Sequence, residues 1–334
     1  IGNDEFKNQP VGLGPYRLVH NQPGIEMVLE AHADYWRKTP QVKRLVFKSV
    51  PEPTTRLAML KRGEADVTYA VYGTLAEEVR RDPTLKLEPV LGLGTQWVSF
   101  VDQYDPKSPW ADKRVRLAAN HAVNWPVINE IETLGYSRLT GSTISHRFDF
   151  ALPLEPYGYD PHKARQLLKE AGYPNGFEGG ECSTDTAYAT LVEAIVNDLA
   201  VVGIRTKGRP MERAAVQMAQ KEKTVKNLTR QGSGNFGNAA SRIEAFMHSK
   251  GGQSFIQDPE IDAWYQQQAN ERNREKRAVL LHKIQQKVYD EARFMPIWEL
   301  GFLCASGPRA AVSGLGLIPM FLYSAPYEDV QLKS

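Results

Sequence analysis

Residues 42–69 read VKRLVFKSVPEPTTRLAMLKRGEADVTY. Val42–Val50 is dense in β-branched and apolar residues, which predicts a strand. Thr54 or Thr55 is placed to cap a short helix that carries Leu57 and Leu60 on one face and stops at Gly63. Glu64–Tyr69 then returns to strand. A strand, a helix and a strand in one short stretch form the unit from which α/β architectures are built.

The pattern continues in both directions. Upstream, Tyr16–His20 alternates as a strand, Asn21-Gln-Pro-Gly24 supplies a turn, and Ile25–Glu30 is a second β-rich run. Downstream, Leu91–Phe100 reads as a loop entering a strand, and Asp112–Val123 as a helix. A loop-rich segment over 135–158 leads to the clearest helix, with Asp160 as its cap, Pro161 in its first turn and Gly172 at its end. Helices are also expected over 187–201, with Leu191, Ile195 and Leu199 inward, and over 271–292, with Leu281, Ile284 and Val288 inward. Ile204–Lys207 and the last forty residues read as strand.

With 334 residues the chain has length enough for two domains. Its 42% hydrophobic and 24% charged residues are those of an ordinary soluble globular protein. A net charge of +2, with bases and acids interleaved as in Arg272–Arg277, argues against nucleic acid as a partner. No apolar run is as long as a membrane span. The two cysteines, Cys182 and Cys304, read as free buried thiols, with a bridge in an oxidising compartment as the alternative.

Motifs for catalysis are missing. The seven histidines form no HxxxH pair and no cluster with cysteine, so no metal site is expected. Gly232-Ser-Gly-Asn-Phe-Gly237 has the glycines of a nucleophile elbow but its serine is one position early. Pro10-Val-Gly-Leu-Gly-Pro-Tyr16 lacks the GK[ST] ending of a phosphate loop and reads as a turn into a strand.

Taken in order, several of these stretches resemble one family, the family 5 extracellular solute-binding proteins of ABC importers. Pro10–Tyr16 resembles its PVGTGPY signature, with the aromatic pair Tyr35-Trp36 following. Leu57–Val67 resembles its LxxGExD unit, Ser108–Asn124 its PFxDxxVRxAxxxAID helix, and Tyr159–Tyr173 its YDPxKAxxLLxEAGY helix. Asp258–Asp262 and Phe294–Trp298 fit two later segments. The resemblance implies an α/β fold of the type II periplasmic-binding-protein kind, two lobes with mixed sheets flanked by helices. It also implies that the first part of one lobe and a small extra domain, which precede PVGTGPY in the family, are absent from this chain. One lobe would comprise 1–96 and 303–334 and the inserted lobe 97–302, with hinge crossings near Gly94–Val98 and Trp298–Cys304.

The same resemblance implies capture of a peptide or other small solute in an interlobe cleft and its delivery to an ABC permease in the inner membrane. The chain would be a monomer without cofactor or metal, periplasmic, or extracellular and membrane-tethered in a Gram-positive organism. Candidate ligand contacts are Trp97 at the hinge, and Thr184, Asp185, Thr186 and Tyr188 in a turn opening a helix. Asn235, Phe236, Asn238 and Arg242 in and after the glycine loop complete the set. Plain helix capping is the alternative for Thr184 and Thr186, core packing for Trp97, and surface exposure for Arg242. Peptide-binding relatives carry an aspartate for the ligand's α-amine in the loop equivalent to 232–241, and this chain has no acid there. An opine or a sugar conjugate is therefore an alternative solute. A hydrolase with a hidden site, or a sensor or chaperone on the same fold, are the competing classes.

Overall fold

The computed structural model describes Phe6, residues 10–234 and residues 237–333. The chain divides into two compact units, Ile1–Gly92 with Phe302–Ser334, and Leu93–Gly301.

In the first unit, β1 (Tyr16–Gln22), β2 (Glu26–Ala31) and β3 (Arg44–Lys48) form an antiparallel sheet in sequence order. Tyr16 lies opposite Ala31, and Glu26 opposite Lys48. Helix α1 spans Pro53–Lys61 and buries Leu57 and Leu60. It starts earlier than a Thr54 or Thr55 cap would allow: Glu52 is the flanking residue and Pro53 occupies the first turn. Proline has no N–H to lose there, so the helix extends back to it. Then β4 (Val67–Tyr69) pairs antiparallel with the end of β10 (Phe294–Ser306), with Tyr69 opposite Cys304. Helix α2 (Thr74–Arg81) follows. Among the described residues of the last forty, 295–306 of β10, β11 (Ala310–Val312) and β12 (Gln331–Leu332) are strand. Cys182 and Cys304 are both buried free thiols.

Strand β5 (Lys86–Phe100) and strand β10 are the two strands that continue from one unit into the other. In the second unit β5 pairs antiparallel with β9 (Leu228–Gly232), Gln96 opposite Gly232 and Phe100 opposite Leu228. Strand β7 (Phe177–Asp185) runs parallel both to β9 and to β8 (Ile204–Met211). The short β6 (Arg138–Leu139) pairs with β10. The helices are α3 (Lys113–Ala122), α4 (Trp125–Thr133), α5 (Pro161–Glu170), α6 (Ala189–Val201), α7 (Arg213–Lys221), α8 (Ala239–Phe246), α9 (Pro259–Asn270) and α10 (Arg274–Asp290). Trp97, Ile243, Phe246, Ile284 and Phe294 belong to one core cluster, into which α8, α9 and α10 send apolar faces.

The β7–α6–β8 turns close by backbone contact. Gly176 and Gly203 have φ of 73° and 97°, and a Cβ on Gly176 would fall 1.9 Å from the Gly203 carbonyl oxygen. Only glycine fits such an approach in the left-handed region.

Candidate functional site

Three parallel strands, β8, β7 and β9, end on one edge of the second unit. In open α/β sheets ligands bind outside such carboxyl ends. What stands there follows from how each strand stops.

Strand β7 runs through Cys182–Asp185, where a helix-opening turn was expected. Thr184 is fully buried on the strand, and its hydroxyl donates to the Asp185 carbonyl at 3.3 Å. The cap of the next turn is Asp185, which accepts from Ala187 N at 2.9 Å. Neither Thr184 nor Thr186 caps it, because the carboxylate is the stronger acceptor for a free N–H. Arg213, opening α7, brings its Nε to 3.9 Å of the same carboxylate. Thr186 is exposed, and Tyr188, just before α6, is half-buried beneath a guanidinium.

That guanidinium is Arg230 on β9, 3.6 Å from the Tyr188 ring centre. A Cβ at Gly232 would lie 3.4 Å from Arg230 Nη2 and 3.6 Å from Gln96 Cγ, so both side chains share one face at the strand end. Gln96 is 2% exposed, and its Oε1 has no hydrogen-bond partner among the described residues. Beyond Gly232, Ser233 N donates to Thr95 O at 2.9 Å, and Thr95 Oγ1 donates to Thr143 O at 2.5 Å. These bonds tie the loop to the buried segment 140–145. Nearby, Glu299 of β10 is wholly buried and accepts from His146 N, His146 Nδ1 and Arg138 Nη1 at 2.8–3.0 Å.

Asn238 and Ser241 form a reciprocal capping box at the start of α8, at 3.0 and 3.1 Å. Asn238 therefore spends its side chain on the helix. Arg242 lies 5.6 Å from the Phe148 ring centre with its Nε enclosed and unpartnered among the described residues. Burial holds its guanidinium below the usual arginine range. Asn235 and Phe236 lie outside the described residues.

Trp97 is enclosed in the core of the second unit and is assigned to packing. Its ring meets Phe246 edge-on at 4.8 Å and Phe294 at 6.0 Å, and its Nε1 donates to Ser99 Oγ at 3.0 Å. On a central strand, alternation turned Trp97 to the helix-covered face while Gln96 faces the edge described above. Sequence reading missed Arg230 and Gln96. The available signal was their position: each lies within two residues of where a strand meets a glycine-rich turn.

Among the described residues no serine, threonine or cysteine side chain is hydrogen-bonded to a histidine; His121 and His146 bond to Gly158 O and to Glu299. No three His, Cys, Asp or Glu side chains converge there as metal ligands. Nor is any helix among them long and apolar enough to cross a membrane. The edge is suited to holding a polar solute with arginine, amide and hydroxyl groups.

Residues 1–254 match the model of the bacterial extracellular solute-binding proteins, family 5 Middle. Heme-binding protein A of Haemophilus influenzae is 28% identical over 305 residues, covering 88% of this chain and 55% of that protein. The glutathione-binding protein GsiB of Pectobacterium atrosepticum is 26% identical over 344 residues, covering 98% and 65%. The solved structure of the periplasmic binding protein DppA from Helicobacter pylori with peptide STSA superposes with a TM-score of 0.82 at 21% identity, covering 98% of this chain and 64% of that one. The chain thus spans between half and two thirds of the length of these proteins.

Proposed function

We infer the function from one premise: the chain belongs to the bacterial extracellular solute-binding proteins of family 5. It is the capture component of an ABC-type uptake system, which binds a peptide or other small solute and hands it to a membrane permease. It acts as a monomer and without a cofactor. Its place is the periplasm or, in a Gram-positive organism, the outer face of the membrane by a tether. It does no chemistry on what it carries.

The observation that carries this reading is the edge formed by β7 and β9. Arginine, amide and hydroxyl groups gather there, and among the described residues no serine, threonine or cysteine side chain is hydrogen-bonded to a histidine. Such a set is suited to holding a solute, and among the described residues it lacks the activated nucleophile that cleavage by acyl transfer would use. The names of the two relatives, a heme-binding and a glutathione-binding protein, support binding over catalysis. A second reading, an opine or a sugar conjugate as the solute, is favoured by the absence of any acid in Gly232–Ser241.

Native mass spectrometry of the protein purified without refolding tests the capture reading. The expected result is a monomer carrying a small solute that returns unaltered on release. A solute that is consumed, or a chain that gains no mass with any peptide, opine or sugar conjugate supplied, contradicts it.

A further inference from the structure

We propose that the carboxyl edge of β7 and β9 recognises a carboxylate of the solute through Arg230, with Arg242 as a second cation, so that the captured solutes are acidic. This rests on the capture reading and narrows it to a chemical class.

The two arginines depart from the pattern around them. On the same sheet, Arg205 and Arg209 of β8 are paired with Glu178 and Glu181 of β7. Arg213 approaches Asp185 and Arg274 bonds Asp149 at 3.0 Å. Among the described residues neither Arg230 nor Arg242 is paired with an acid, and the Nε of each is enclosed without a hydrogen-bond partner. The acid that ends β7, Asp185, is already engaged by Ala187 N and Arg213.

Each guanidinium is laid against an aromatic ring, Arg230 on Tyr188 at 3.6 Å and Arg242 toward Phe148 at 5.6 Å. Stacking occupies the face of a guanidinium and leaves its N–H edge free, the edge that grips a carboxylate bidentately. The ring also fixes the side chain beforehand, which lowers the ordering cost of binding. A cation partly withdrawn from water attracts an arriving anion more strongly, because the local dielectric is lower than in bulk water.

Gln96 adds an independent sign of a missing polar partner. Its amide is 2% exposed, shares the strand-end face with Arg230, and leaves Oε1 unpartnered. Buried acceptors are rarely left so. An N–H or O–H donor beside the carboxylate on the same solute would satisfy it.

The test uses the whole chain and four probes: glutathione, glutathione diethyl ester, tri-alanine and tri-alanine amide, each titrated by calorimetry. We expect a free-acid probe to bind at least tenfold more tightly than its esterified or amidated form. R230M should weaken the acid at least tenfold while leaving the blocked form unchanged, and R230K should fall between, since lysine keeps the charge but loses the planar fork. R242M should weaken the acid by a smaller factor. The acid-versus-blocked comparison needs no variant, so it stands even if R230M misfolds. Equal binding of acid and blocked forms, or R230M binding the acid as the parent does, overturns the inference and leaves capture intact. Failure of all four probes to bind also overturns the inference, while capture stands or falls on the mass-spectrometry result above.

Discussion

At the scale of single residues, the second unit is held by buried polar groups whose partners are backbone. Arg116 on α3 is 1% exposed and donates to four carbonyls: Trp110 and Ala111 at 2.9 Å, Glu291 at 2.9 Å and Ala292 at 3.2 Å. Burial, and then the charge of Arg293, push its guanidinium down to about 10, so it remains charged at neutral pH. Arg116→Met would leave these acceptors without a donor and should cost about 3 kcal/mol or more in denaturant unfolding. Glu132 on α4 is the opposite case. It is buried, among the described residues only the Thr190 hydroxyl donates to it, at 3.0 Å, and desolvation raises its carboxyl above the ordinary range. The folded state therefore holds the proton more tightly than the unfolded chain. This favours folding at acid pH and is lost as pH rises through the raised value. Glu132→Gln should be more stable than the parent at pH 7, and the difference should close as pH falls through the ordinary carboxylate range.

At the scale of elements, contact between glycines limits the β7–α6–β8 unit. Gly176→Ala puts a methyl group on the Gly203 carbonyl at a positive φ. It should destabilise by more than the ~1–2 kcal/mol that a left-handed residue costs alone. Gly158→Ala, where a Cβ meets nothing within 4 Å, should fall within about 0.5 kcal/mol of the parent. Thermal unfolding of both variants checks the pair.

Elements with clear periodicity and punctuation were legible in the sequence. Helix α5 carries Asp160 as cap and Pro161 in its first turn, and α10 buries Leu281, Ile284 and Val288, as the patterns predict. Helices α2, α4, α7, α8 and α9 were not read. In α9 only Ile261 and Gln268 are buried, too few apolar residues for a stripe to show. Strand β7 was not read, because Ser183, Thr184 and Asp185 have turn chemistry, and burial between parallel neighbours overrides it. The candidate site suffered likewise. Residues named for their loop chemistry, such as Asn238, turned out to serve the backbone. Arg230 was marked only by its place two residues before Gly232, because its contact with the Tyr188 ring comes from another segment of the chain.

At the scale of the whole molecule, the proposed function is capture of a solute by the folded chain. Anything that binds the folded chain alone stabilises it, by about 2.7 kcal/mol when free ligand is a hundred times the dissociation constant. Family membership rests on residues 1–254, and the chain spans 55% and 65% of the two relatives compared above. The central claim is capture without conversion. The most direct measurement is calorimetric titration with a panel of acidic peptides and opines, followed by mass analysis of the recovered solute. The account predicts saturable one-to-one binding, a raised unfolding temperature, and a solute recovered unchanged. Product formation at a rate abolished by one side-chain substitution would contradict it.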